Sequence, residues 1–286
     1  MLGYAEKYTS NILLVVKHTI RSLPNALSRP KFNVYKGGPY RCTLIDKFKG
    51  NASTGKYQCI LVNPKQRRIL DIFQDRPQSH LADYWRSIPR KERLNVKFFV
   101  CDMWRPCTEL TQTFFPNAKI IINKYYFIRQ LTWVIENIRK RIQRSMPHSL
   151  RKYFKRSRKL ILPRYKKQKD ENKQACYLML PYSKDLRLAR RMKEWFYDIC
   201  HMKAYRQQQR EFDDWIVNAL NCGIKEFIDC ARTYRTWRKE IPNAFKYGLI
   251  NGPTEGFNNK IKVIKRSSYG IWNFKRFRTR ILHCTS

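Results

Sequence analysis

A mixed α/β fold interrupted by a large helical block is predicted for this chain by three observations. Between Cys42 and Ile122, short β-type runs alternate with turn residues and helical stretches. From Phe127 to about Glu240 the apolar residues recur at the helical period, with few Gly or Pro. Apolar residues at 43% and aromatics at 14% supply the hydrophobic area that a disordered basic tail lacks. With 286 residues, and roughly 150 residues per domain, the chain forms one large domain or two modest ones.

The elements follow in order. Before Cys42, only Tyr8 to Ile20 has a helical pattern, and the stretch from Asn33 to Tyr40, with Gly37, Gly38 and Pro39, reads as irregular. A strand from Cys42 ends at Ile45-Asp46, a polar turn spans Gly50 to Gly55, and β runs cover Tyr57 to Val62 and Arg68 to Phe73. With Asn63-Pro64 as punctuation, these three make an antiparallel meander. A helix is expected around Ser79 to Ser87, then a strand from Val96 to Cys101 terminating at Asp102. Arg105 to Phe115 has helical spacing until Pro116 stops it, and Lys119 to Ile122 is a fifth β run. Pro147, Pro163 and Pro181 divide the helical block. A last helix starts at Asn251-Gly-Pro-Thr-Glu255, where Asn251 can cap and Pro253 suits the first turn, and runs to about Arg266. On it Phe257, Ile261 and Ile264 share one stripe, and Glu255, Asn258, Asn259, Lys262 and Arg266 another.

Sixty Lys plus Arg against 21 Asp plus Glu give a net charge of +39 and a pI near 10.2. So basic a folded chain needs a polyanion, either nucleic acid or an anionic membrane surface. Spanning a membrane is excluded, because apolar runs such as Ile12 to Val16 fall far short of the roughly 20 residues required. No secretory signal is evident. Segment 131–175 concentrates fifteen basic residues against three acidic ones, with Tyr153, Phe154 and Tyr165 interleaved. That mixture suits phosphate contact and base stacking, and equally a solvated helix face. Nine cysteines never form C-x-x-C, which points to free thiols acting as small buried hydrophobes. None of the five His stands at metal-ligand spacing to Cys or a carboxylate, and no Gly-rich phosphate loop occurs.

Two carboxylates end apolar strands, Asp46 after Leu44-Ile45 and Asp102 after Phe98 to Cys101, while Glu255 opens the last helix. At strand ends of an α/β sheet such groups collect at one rim. Three converging carboxylates need cations, and Mg²⁺ suits them as a hard ion bound through few carboxylates plus water and phosphate oxygens. Each residue is also explicable as an ordinary cap.

Leu44-Ile-Asp-Lys-Phe-Lys-Gly50, Val100-Cys-Asp-Met-Trp-Arg-Pro106, Phe115-Pro-Asn-Ala-Lys119 and the run from Asn251 to Arg266 resemble transposases of the ISL-three insertion-sequence family, over about residues 42–286. The resemblance implies an RNase H-like fold: an irregular segment 1–40, a first core part 41–126, a helical insertion 127–244, and a second core part 245–286 with the catalytic helix. It implies Asp46, Asp102 and Glu255 as a DDE triad holding two Mg²⁺ ions, or Mn²⁺, for DNA cleavage and strand transfer. Double-stranded DNA, at the element ends and the target, is the implied partner. A homodimer in the bacterial cytoplasm, associated with the nucleoid, follows from the same likeness. DNA contacts are assigned to Lys262 and Arg266 beside the triad, and to Arg139, Arg141, Arg151, Lys155 and Arg158 in the helical block.

The chain departs from the family pattern in four places. Asn123 and Tyr126 occupy an Asp-x-x-His type element, Lys47 stands where an acidic neighbour is usual, and Asn63 replaces a common Asp. The family's N-terminal zinc-binding and helix-turn-helix segments have no counterpart, so a truncated copy is expected. The alternative function is a catalytically impaired remnant that only binds DNA without reading its sequence.

Overall fold

Five strands, β1 (Cys42–Lys49), β2 (Tyr57–Asn63), β3 (Arg68–Phe73), β4 (Phe98–Cys101) and β5 (Lys119–Ile122), form one sheet in the order β3-β2-β1-β4-β5. The computed structural model describes residues 42–49, 57–63, 67–74, 78–249, 252–268, 271 and 273–285. The helix expected at Tyr8 to Ile20 and the cap expected at Asn251 lie outside them.

The first three strands are the predicted antiparallel meander, and β4 lies parallel to both β1 and β5. All four residues of β4, Phe98 to Cys101, are buried. A strand covered on both faces carries such a continuous apolar run instead of an alternating one. Two boundaries differ from the sequence reading. β1 continues to Lys49, so Asp46 pairs with Ile60 inside the strand and does not end it. The ladder to β2 extends past the last apolar residue because backbone pairing is indifferent to side-chain charge. β4 begins at Phe98, because the Val96 amide instead donates to the Arg93 carbonyl in the preceding turn.

Helix α1 (Gln78–Ser87) buries Leu81, Ala82 and Trp85. The Trp85 ring meets Phe115 at 5.0 Å and Phe99 at 6.1 Å, edge-on in both cases, which fixes the helix against the sheet. Helix α2 (Arg90–Leu94) was absent from the sequence reading: it buries no residue, so no apolar period marks it. Helix α3 (Arg105–Phe114) follows β4 directly.

The helical half comprises α4 (Lys124–Ser145), α5 (His148–Arg156), α6 (Arg158–Ile161), α7 (Asp170–Met179), α8 (Lys184–Ile199), α9 (Tyr205–Asn221), α10 (Lys225–Thr236) and α11 (Glu240–Tyr247). Its centre is aromatic. Trp215 packs at 5.1 Å from Phe196 and 5.4 Å from Tyr234, and its indole N–H donates to the Met192 carbonyl at 2.9 Å. The Tyr234 hydroxyl donates to the Phe127 carbonyl at 2.5 Å. The polar atoms of Trp215 and Tyr234 are thus satisfied, as burial requires. The ammonium of buried Lys193 donates to the Ile161 and Pro163 carbonyls, capping the end of α6, and pairs with Glu194. Helix α11 covers the edge strand, where the Asn243 amide donates to the Ile120 carbonyl at 2.7 Å.

Two last helices, α12 (Gly252–Ser267) and α13 (Phe274–Thr285), return to the sheet. α12 packs on β1, and α13 on β3. Arg278 of α13 pairs with buried Asp71 of β3 at 2.6 Å. Arg278→Ala is expected to cost about 3 kcal/mol by leaving that carboxylate buried without its cation, read as a lowered urea midpoint with an unchanged slope.

Six of the nine cysteines are buried, two are intermediate and Cys284 is exposed, all as free thiols. Burial pushes the Cys42 and Cys230 thiols up to about 12. No described helix is long and apolar enough to cross a membrane.

Candidate active site

Asp46 and Asp102 come together because of strand register. Leu44 of β1 pairs with Val100 of parallel β4. Continued for two residues, that register sets Asp46, inside β1, level with Asp102, which directly follows the end of β4; neighbouring strands lie about 4.8 Å apart. Both are buried, with 6% and 3% of their surface exposed. Two carboxylates so placed repel unless positive charge or hydrogen bonds compensate them.

The protein supplies both. The Lys47 ammonium stands 3.8 Å from Asp102 Oδ2. Asp46 Oδ1 accepts from its neighbour's backbone amide at 2.8 Å and from the Tyr126 hydroxyl at 2.5 Å. The Lys47 ammonium also lies 5.8 Å from the Tyr126 ring centre, closing the group. Tyr126 reaches Asp46 because α4 starts against the end of β4. The Asn123 amide donates to the Cys101 carbonyl at 3.0 Å, and its side chain caps the helix by accepting from the Tyr125 amide at 3.1 Å. Three of the four positions noted as departures, 47, 123 and 126, therefore sit on or beside the aspartate pair. Their individual contacts had no sequence signal beyond that noted departure.

Glu255 is on the first turn of α12 and exposed. The two stripes read from the sequence hold apart from Asn258: Ile261 and Ile264 are buried and Phe257 is half-buried, Glu255, Asn259, Lys262 and Arg266 are exposed, and Asn258 is half-buried. The Lys262 ammonium contacts the Asn259 side-chain carbonyl at 3.2 Å. Beside Glu255, the buried Thr254 hydroxyl and the Asn258 side-chain carbonyl have no hydrogen-bond partner among the described residues. Glu255 is not joined to the aspartates here, and among the described residues no three His, Cys, Asp or Glu side chains are grouped to hold a metal ion.

The cations assigned to DNA divide. Arg139 corrects the expectation: it is 5% exposed, forks onto Glu136 and donates to the Phe154 carbonyl, tying α5 to α4. Arg141 is exposed and bridges Asp185 and Glu226. Arg151 is exposed and donates to the Met146 and Arg144 carbonyls, and Arg158 is also exposed. The Lys155 side chain lies outside the described residues. Tyr165 is partly exposed, with the Arg190 guanidinium 4.4 Å from its ring centre.

Asp46 and Asp102 offer the hard oxygen donors that Mg²⁺ takes. A cation already stands beside them in the form of the Lys47 ammonium, so the pair fits a hard cation that can displace it.

These features define a basic α/β protein with a buried carboxylate pair on its central strands. The chain belongs to the ISL3 transposase family, whose model, described as "Transposase", matches residues 44–281. It is 24% identical over 279 residues to the "Transposase for insertion sequence element IS1001" of Bordetella parapertussis, covering 92% of this chain and 66% of that protein. It also matches an "ATP-dependent protease" of Lactococcus lactis subsp. lactis at 43% identity, over 51 residues that cover 18% of this chain and 16% of that protein. So short a stretch carries no functional argument. The chain thus spans less than two thirds of the length of the curated relatives it matches.

Proposed function

We propose that this chain is the catalytic region of a DNA transposase, with an RNase H-like core divided by its helical half. It binds double-stranded DNA across its basic surface and, with Mg²⁺ or Mn²⁺, cleaves element ends and joins them to target DNA. The observation that carries this reading is the two buried aspartates, Asp46 inside β1 and Asp102 directly after the parallel strand β4, inside the region that the transposase model matches. Bound at that pair, the metal supplies positive charge that activates an attacking oxygen and stabilises a leaving one.

The protein's own residues do the rest. Asp46 and Asp102 would hold the ion, and the hydroxyl of Tyr126 fixes the orientation of Asp46. Lys47 gives up its place beside Asp102. Its side chain is 36% exposed on a flexible stem, so the ammonium would be free to turn to a DNA phosphate. Glu255 closes on the pair from the first turn of α12, where the helix dipole favours an anion. Lys262 and Arg266, further along the same face, steady the phosphates on which charge develops. Two element ends require two such sites, hence a dimer, acting on bacterial DNA in the cytoplasm.

Lys47→Ala is expected to tighten Mg²⁺ binding on the order of tenfold, because unit charges about 4 Å apart interact by about 1–4 kcal/mol between bulk water and the protein surface. Titration calorimetry of both proteins measures this. Equal affinities would mean that Lys47 does not compete with metal.

Lys47 and Tyr126 also favour a second reading, a transposase-family protein that binds DNA without cutting it, its aspartates permanently satisfied from within. A nicking and strand-transfer assay on element-end DNA separates the two. Products that require Mg²⁺ support the catalytic reading, products formed equally in EDTA contradict it, and tight DNA binding with no products establishes the second.

A further inference from the structure

Tyr125, Arg129 and Trp133 stand at i, i+4 and i+8 of α4, one stripe rising about 6 Å per step. All three are exposed, Tyr125 by 50% and Trp133 by 54%. The guanidinium of Arg129 lies between the rings, 4.3 Å from the centre of Trp133 and 5.7 Å from that of Tyr125. Exposed Lys140 and Arg144 continue the same side of the helix. Glu136, the one acidic residue of α4, is engaged by Arg139 and Lys140. The stripe begins at the aspartate site: the Tyr125 ring meets that of Tyr126 edge-on at 5.5 Å, and the Tyr126 hydroxyl donates to Asp46.

A cation stacked between two exposed rings, on a protein of net charge +39, calls for a polyanion that also has flat faces. Nucleic acid has both. A duplex hides its base faces within its own stack, so the rings can be covered only by unpaired bases. A second copy of this chain would bring a further +39 against the patch. An apolar protein partner would bury Arg129 without a counter-charge. We infer that the Tyr125, Arg129 and Trp133 stripe is a platform for unpaired DNA bases, which leads a single strand along α4 to the Asp46 and Asp102 pair.

The inference rests on the DNA-binding part of the proposed function and adds a strand state to it. Its test omits divalent metal, so that cleavage does not enter. Fluorescence anisotropy of the full chain is measured with a mixed-sequence single-stranded DNA oligonucleotide and with the same sequence as duplex, at fixed salt. Trp133→Ala should weaken single-strand binding about tenfold and duplex binding about twofold or less, because stacking serves only exposed bases. Trp133→Phe should restore most of the loss, and Arg129→Gln should fall between the two. Equal losses on both DNA forms, no loss on the single strand, or no single-strand binding by the unaltered chain would each overturn it. So would a change in mass by light scattering in Trp133→Ala, which would mark the stripe as a contact between copies. A chain that shows the strand-selective loss and yet cuts nothing removes the catalytic reading alone; one that cuts without that loss removes this inference alone.

Discussion

Asp102→Asn is expected to reduce strand cleavage and transfer at least about 10²-fold, the scale of losing one preorganised electrostatic group at a reacting centre. The substitution is nearly isosteric at a site with 3% exposure, so packing around β4 should persist. What it removes is charge. One of two neighbouring buried carboxylates becomes neutral, and the remaining Asp46 faces less repulsion while Lys47 loses its ion-pair partner. These two changes oppose each other, and the net shift in stability should stay within about 1 kcal/mol. Activity should therefore collapse while the thermal midpoint barely moves. A gel assay on end-containing DNA together with a melting curve reads both. Retained cleavage would remove Asp102 from the reacting centre.

Trp215→Ala should show the opposite pattern, with a large loss of stability away from the aspartate pair. The indole is fully buried among Phe196, Phe227 and Tyr234, and its N–H satisfies the Met192 carbonyl. Removing a buried Trp costs about 3–5 kcal/mol through lost transfer energy and the residual cavity. Domains of this kind are stable by about 5–15 kcal/mol in total, so much of the margin would disappear. Urea denaturation measures the loss. A cost below about 1 kcal/mol would show that the aromatic cluster does not hold the helical half together.

How far these features were legible in the sequence depends on the kind of signal each one leaves. β5 and β3 were readable to the residue, because apolar β-type runs bounded by turns state their own limits. α2 was not, since a five-residue polar helix has no buried face to impose a period. β1 was read too short, because a sequence pattern ends at the first charge whereas a backbone ladder continues through it to Lys49. The juxtaposition of Asp46 and Asp102 was half legible. Each ended an apolar run, but their levelling depends on the parallel register of β1 with β4, which no local pattern encodes.

The same limit applies to the charges. A count of cations along 131–175 cannot tell Arg139, folded inward onto Glu136 and Phe154, from Arg158, which faces solvent, because orientation on a helix crossed by several neighbours is a tertiary property. At Lys47 and Tyr126, departure from a family motif marked the right positions. Only the structure gives their partners, an ammonium beside Asp102 and a phenol on Asp46.

The aspartate pair is proposed to take a divalent cation in exchange for the Lys47 ammonium. Manganese provides a direct probe, since free Mn²⁺ has a resonance signal that disappears on binding. The unaltered chain and the Asp46→Asn, Asp102→Asn double variant should be titrated with Mn²⁺ under electron paramagnetic resonance at fixed salt. The unaltered chain should take up Mn²⁺ saturably and the double variant should not, with both proteins folded by circular dichroism. Uptake that is absent from the unaltered chain, or unchanged in the double variant, would contradict it.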